Sequence, residues 1–229
     1  MVNKIPDKLL KIYRQFDNCP RCKKEKNLLR HILGGGRFRK PKFLFLFINP
    51  THLNLSSHKY YQGKRRYPFI GVRYFYKFLS EANFIDKKLI DDIYQKGWQI
   101  EDEDRIEQNL IKDSIYITNL VKCAQLNPKN PIKEIIKQDF PLLQKEIDIV
   151  SPKYIIAFGK IPIETLTNQN STCLKDYLDK VRNNTYQPVK SIDILDKKYD
   201  ILPCYFPVGR GNLKEALEIL KYIKKKYSD

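Results

Sequence analysis

The chain has 229 residues, 42% hydrophobic and 12% aromatic, which is enough to bury a core and too rich in Ile, Leu, Phe and Tyr for intrinsic disorder. Its 43 Lys and Arg against 26 Asp and Glu leave a formal charge of +17, which points to a polyanionic partner. The longest apolar run, Phe43 to Ile48, is far too short to cross a bilayer, and no basic amphipathic helix with a Trp or Phe face offers a membrane-surface anchor.

The amino terminus, Met1 to Asp7, has neither an apolar signal core nor a cleavage site, so the expected location is the cytoplasm, in association with the nucleoid. In that reducing setting five cysteines, two of them spaced Cys19-x-x-Cys22, suit a metal or redox role better than a disulfide framework. Leu9, Leu10, Ile12, Tyr13 and Phe16 are spaced as on a helix, which predicts a short helix over Asp7 to Phe16 that delivers the chain to that pair. Gly34-Gly35-Gly36 precedes a strand and is followed by no Lys-Ser/Thr, so it reads as a turn and not as a phosphate loop.

Lys42 to Asn49 is Phe-rich and closed by Pro50, which predicts a buried first strand. Further strands are predicted at Ser114 to Asn119, Lys153 to Phe158 and Tyr199 to Tyr205, with helices at Pro131 to Val150, Ile161 to Thr167 and Asn212 to Tyr227. Alternating strands and helices predict a three-layer α/β/α fold with a central, mostly parallel four-stranded sheet. Ligands bind such sheets beyond the carboxy ends of the strands, which selects the loops after residues 48, 118, 158 and 205. The expected organisation is one domain over 1–229, with an amino-terminal metal-binding segment over about 1–40 and a polar surface insertion over about 168–194.

Between Lys26 and Ser80 stand twelve Lys and Arg without one Asp or Glu, interleaved with Tyr60, Tyr61, Tyr67, Phe69, Tyr74 and Tyr76. Cations that neutralise phosphates among rings that stack on bases suit nucleic acid. Cys19, Cys22 and Cys123 would make a metal site with one further ligand; a zinc knuckle and plain thiols are the other readings.

Several blocks, in order, carry a resemblance. They are Gly34-Gly35-Gly36, Phe47-Ile48-Asn49-Pro50-Thr51, Gln62-Gly63, Pro68-Phe69-Ile70-Gly71, and above all Tyr116-Ile117-Thr118-Asn119-Leu120-Val121-Lys122-Cys123. Pro141-Leu142-Leu143, Ser151 to Gly159 and Pro203-Cys204-Tyr205-Phe206-Pro207 follow. This series resembles the motifs of the uracil-DNA glycosylase superfamily, in particular its iron-sulfur branch, often called family 4. The resemblance runs from about Cys19 to Asn212. It implies a base-excision repair enzyme, probing DNA for uracil or a related deaminated base, hydrolysing the N-glycosidic bond of the flipped nucleotide and leaving an abasic site. The alternatives are a non-catalytic iron-sulfur or zinc nucleic-acid-binding protein of the same fold, and a glycosylase for hypoxanthine or mismatched thymine.

The resemblance also implies roles. Phe69 would be the aromatic floor under the base, with Phe47 and Ile48 beside it. Asn119 would read the pyrimidine edge, its NH2 donating to uracil O4 and its carbonyl accepting from N3–H, a pattern that cytosine reverses. Asn49 would position the attacking water, in a sequence closer to the Asn-Pro motif of the mismatch-specific branch than to the acidic motif of family 4. Phe206 stands where the superfamily carries a His that donates to uracil O2, so one donor to the leaving base is absent. Arg65, Arg66, Lys122, Arg210 and Asn212 would contact DNA, single- or double-stranded, the last two within the loop Val208 to Asn212, which resembles the wedge that enters the minor groove. Three of the family's four cluster cysteines fall on Cys19, Cys22 and Cys123 and the fourth on Asp139, which implies a structural [4Fe-4S] cluster with an oxygen ligand, zinc being the alternative. The expected state is a monomer that uses no lysine as a Schiff-base nucleophile.

Overall fold

The computed structural model describes residues 5–17, 31–50, 67–69, 72–99, 101–123, 133–169, 172–207 and 212–228. Four apolar runs form the centre of the sheet: β2 (Phe43–Phe47), β3 (Ile115–Asn119), β4 (Tyr154–Phe158) and β6 (Asp200–Cys204). Two-residue strands close its edges, β1 (Gly35–Gly36) and β5 (Val189–Lys190), giving the order β1-β3-β2-β4-β6-β5. The four central strands are mutually parallel and the edges antiparallel, so the predicted four-stranded core carries two additional short edge strands.

Alternation along the strands divides the core in two. Phe43, Phe45, Phe47, Ile115, Ile117, Ile156 and Phe158 face one side, and Leu44, Leu46, Tyr116, Ile155 and Ala157 the other. The first side is covered by α2 (Arg73–Glu81), α3 (Lys87–Lys96), α4 (Asp102–Lys112), α7 (Leu174–Arg182) and α8 (Leu213–Tyr227). The second is covered by α1 (Asp7–Asp17), α5 (Lys133–Val150) and α6 (Lys160–Thr167). Burial on both faces is why the strands read as unbroken apolar runs.

The glycine run is not a turn. Gly35 and Gly36 pair with Ile117 and Tyr116 as an edge strand. A Cβ on Gly34 would lie 1.7 Å from the Tyr116 hydroxyl oxygen, and one on Gly35 2.5 Å from the Tyr67 Cβ, so both positions are close backbone approaches that admit no side chain. The stretch expected as a polar surface insertion also differs: it contains α7, whose Tyr177, Leu178 and Val181 are buried in the core, because its few apolar residues sit at helical spacing on one face. No helix among the described residues is long and apolar enough to cross a membrane.

Candidate active site at the carboxy ends of the strands

Parallel strands in register end together, and here they bring the expected pocket residues to one edge of one face. Phe47 is the register partner of Asn119, and Phe158 that of Cys204, so all four stand at strand ends. Phe47 stacks on Phe158 with centroids 4.5 Å apart and planes 7° from parallel. It also meets Phe69 edge-on at 4.7 Å, Phe75 at 5.3 Å and Phe206 at 6.2 Å. Phe69 lies flat on Phe75 at 4.0 Å.

Phe69 adopts φ 61°, the left-handed region that bulky residues rarely enter, at a cost of ~1–3 kcal/mol held by the surrounding structure. Such conformations concentrate at functional sites. The Phe69 carbonyl accepts from the Val72 N–H at 2.8 Å, which ties this strained turn to the start of α2.

Asn119 is almost fully buried, yet its side-chain Nδ2 has no hydrogen-bond partner. An amide stripped of water without replacement costs about 1–3 kcal/mol, and a ligand acceptor would recover it. The chain beyond β3 stays on the loop beyond β2 through Leu120 N–H to the Phe47 carbonyl (2.7 Å) and Val121 N–H to the Ile48 carbonyl (2.9 Å). Ile48 and Asn49 are half-buried, and the Asn49 amide donates to the Pro50 carbonyl at 3.3 Å. A Cβ added to Gly159 would lie 3.6 Å from the Phe206 Cβ and 3.8 Å from Ile48 Cδ1, so the loops after β2, β4 and β6 meet there.

Lys122 is a correction. Expected at the DNA surface, its side chain is only 1% exposed, and its ammonium is spent on Thr118 Oγ1, on the Asn119 carbonyl at 2.7 Å and on Glu146 Oε2 at 2.6 Å. A contact with phosphate would break a buried ion pair, so this lysine is internal. Burial lowers its pKa and the facing Glu146 opposes that shift. Glu146 Oε1 accepts from the Tyr116 hydroxyl at 2.5 Å and Thr118 Oγ1 at 2.9 Å, and the Tyr116 and Tyr13 hydroxyls share a bond of 2.6 Å. Burial, and then the Glu146 charge, push the Tyr116 phenol well above its ordinary range.

Of the described cations of the acid-free stretch, Lys77 lies on α2 and four others lie close together. Arg37, Arg39, Lys40 and Lys42 precede β2 at the amino end of the sheet, where Lys40, Lys42 and Lys153 line a cavity of about 430 Å³, away from the pocket. Arg65, Arg66 and Arg210 lie outside the described residues; Asn212 is exposed and caps the start of α8 through its carbonyl, which accepts from Ala216 N–H at 2.9 Å.

Cys19 and Cys22 also lie outside the described residues, and among those described no group of three or more His, Cys, Asp and Glu gathers. Cys123 and Asp139 are buried, and the Lys122 N–H donates to Asp139 Oδ2 at 3.3 Å, which puts the carboxylate at the Val121–Lys122 peptide. Helix α1 packs on the same helix that carries Asp139 and ends just before Cys19. A buried thiol and a buried carboxylate are donor types that fit a metal centre with one oxygen ligand.

Phe75 and Phe158 belong to the aromatic cluster and are absent from the sequence-based candidates. Phe158 carried a usable signal, since it ends a predicted strand at the ligand-binding edge; Phe75 lies on α2, a helix the chain pattern did not yield. Glu146 carried none, because its partner Lys122 is met only through tertiary packing.

These features define an α/β protein with an aromatic, amide-bearing cluster at the carboxy ends of parallel strands. The chain matches the uracil DNA glycosylase superfamily over residues 34–225 and belongs to that family. It is 24% identical over 215 residues to the type-4 uracil-DNA glycosylase of Sulfurisphaera tokodaii, covering 93% of this chain and 81% of that protein. It is 25% identical over 203 residues to the type-4 uracil-DNA glycosylase of Saccharolobus solfataricus, covering 89% and 77%. A third, from Pyrobaculum aerophilum, is 36% identical over 55 residues, 24% of this chain and 28% of that protein.

Proposed function

We propose that this protein is a uracil-DNA glycosylase that hydrolyses the bond between uracil N1 and the deoxyribose C1′ of a flipped nucleotide and leaves an abasic site. The observation that carries the reading is the buried, unpartnered Nδ2 of Asn119 beside Phe47. In this reading Nδ2 donates to uracil O4 and the amide oxygen accepts from N3–H, and cytosine, which offers a donor where uracil offers an acceptor, leaves both groups unpaired. Phe69 and Phe47 supply the aromatic wall, and stacking of this kind contributes ~1–3 kcal/mol per base toward the cost of flipping.

The C1′–N1 bond breaks with its electron pair passing to the uracil ring, and the sugar becomes oxocarbenium-like. Asn49 orients a water that adds to C1′; the water loses one proton and the departing base gains one. An amide is adequate for this, because a dissociative reaction needs an oriented water more than a strong base. Phe206 offers no donor to uracil O2, so the leaving base is stabilised by Asn119 and main-chain groups. DNA is the partner, with the net charge of +17 supporting phosphate contacts, and Arg65, Arg66, Arg210 and Asn212 are the contacts proposed.

Cys19, Cys22, Cys123 and Asp139 are the residues that would hold the cluster. When bound, that group acts structurally, tying the amino-terminal segment to the loop after β3. The burial of Cys123 and Asp139, and the bond from the Lys122 N–H to Asp139, support that assignment.

The test incubates the protein with labelled oligonucleotides, single-stranded and duplex, carrying one uracil, hypoxanthine or mismatched thymine, followed by alkaline cleavage of abasic sites, with Asn49→Ala in parallel. Cleavage at uracil alone, lost in the variant while DNA binding persists, is expected. Salt-dependent DNA binding with no cleavage at any base would leave a nucleic-acid-binding protein and overturn the enzymatic reading.

A further inference from the structure

We infer that Lys122, through its buried ion pair with Glu146, is a positioning residue that fixes the backbone from which the Asn119 amide reaches the uracil edge. The inference rests on the reading of Asn119 given above. An amide reads a base edge only from a fixed place, since its NH2 and its carbonyl must meet their partners together. Nδ2 has no hydrogen-bond partner in the protein, so no side-chain hydrogen bond anchors that end of the amide, and the place it reaches from is set by the backbone that carries it.

That chain is clamped from the opposite face of the sheet. Thr118 and Tyr116 point away from Phe47 and Asn119 and converge on Glu146 of α5, whose Oε1 accepts from both hydroxyls and whose Oε2 faces Lys122 Nζ at 2.6 Å. The Lys122 ammonium donates to Thr118 Oγ1 and to the Asn119 carbonyl, and the charge of Glu146 Oε2 holds it there as an ion pair. The peptide plane after Asn119 is thus fixed by a charge-assisted bond of 2.7 Å, while Phe47 pairs with the same residue in the strand register. Burying an ion pair costs more than filling the same volume with apolar side chains. What an apolar replacement would lack is a donor to the Asn119 carbonyl, and that donor is what fixes the peptide plane next to the amide-bearing side chain.

The experiment compares the wild-type protein with Lys122→Met and with the neutral double variant Lys122→Met/Glu146→Gln, which leaves no buried unpaired charge. Thermal midpoint and DNA binding are measured first. Single-turnover excision of uracil and competition by free uracil and free cytosine are measured next. The double variant is expected to keep the wild-type midpoint and DNA affinity, yet to lose about tenfold in its uracil-over-cytosine ratio, ~1.4 kcal/mol, with uracil excision falling in parallel. A merely structural role would lower stability and leave that ratio unmoved. A folded double variant with the wild-type ratio overturns the inference. Should it not fold, Thr118→Val decides in its place, since it removes one acceptor of the ammonium and keeps the ion pair: a reduced ratio supports the inference and an unchanged one overturns it. A wild-type protein that neither excises nor binds uracil overturns the underlying reading and the inference together, an outcome distinct from an active wild type with an indifferent variant.

Discussion

Phe47 and Phe158 lie nearly parallel, 4.5 Å apart, at the carboxy ends of adjacent strands. The pair continues a column of rings on this face, since Phe45 meets Phe158 at 5.5 Å and Phe84 at 5.2 Å. The aromatic cluster is therefore continuous with the core: Phe47 and Phe158 are the last layer of a packed stack whose place is set by the strand register.

Truncating that stack should be felt as stability. Phe158→Ala is expected to lower unfolding free energy by about 3–5 kcal/mol, the usual range for a buried phenylalanine. Urea titration measures it, and a loss below roughly 1 kcal/mol would mean that the ring is not packed as described.

Phe206 is expected to limit catalysis. Phe206→His restores a donor beside Phe47, and one donor to a developing anion contributes ~2.7–4 kcal/mol where geometry is ideal. The expected outcome is a rise in single-turnover uracil excision of roughly tenfold or more, with DNA affinity unchanged. An unchanged or lower rate would count against a site at which the O2 edge of the base faces this residue.

The oxygen ligand proposed at Asp139 predicts a labile centre. Protein purified without air should show broad visible absorption that fades on exposure to air, and Asp139→Cys should slow that fading, because thiolate suits iron better than carboxylate does. Equal lifetimes in the two proteins would remove Asp139 from the ligand set, and stoichiometric zinc without visible absorption would replace the cluster by the alternative metal.

Acid should weaken the contact between α3 and α4. Asp92 pairs with Lys96 at 2.5 Å and with Arg105 at 2.8 Å, and their hydrogen bonds lower its pKa from the ordinary 3.8. A carboxylate with a depressed native pKa stabilises the fold above its unfolded value and loses that contribution as pH falls through the native one. Asp92→Asn should therefore melt below the wild type at neutral pH, with the gap closing below about pH 4. A gap that persists in acid would show that the effect is not electrostatic.

Much of the fold is legible in the chain because its central strands are buried on both faces. Phe43 to Phe47 and Tyr154 to Phe158 stand out as apolar runs whose ends, Asn49-Pro50 and Gly159, are turn residues, so both strands and their ligand-binding edge follow from local composition. Phe47, Ile48, Asn49, Phe69, Asn119 and Phe206 are candidates through the resemblance of their motifs to a known family. The helices between residues 73 and 112 are not among the predicted elements, although Phe75 with Leu79 and Ile106 with Leu110 repeat at helical spacing.

Lys122 marks the boundary of what a sequence can decide. By composition it is one of 43 cations in a strongly basic chain, and solvent or DNA is the natural place for any one of them. What internalises it is Glu146, brought opposite by the packing of α5 on β3, together with an Asn119 carbonyl that the strand's end turns toward it. Glycine presents the same division: the triplet announces backbone freedom, but only the approach of Tyr116 and Tyr67 shows that the freedom is used for packing. The sequence by itself determined the layers and the strand ends, since these follow from periodicity and residue type along the chain. Which charges are buried was decided by the tertiary structure alone, because a buried ion pair exists only where two distant segments exclude water from between them.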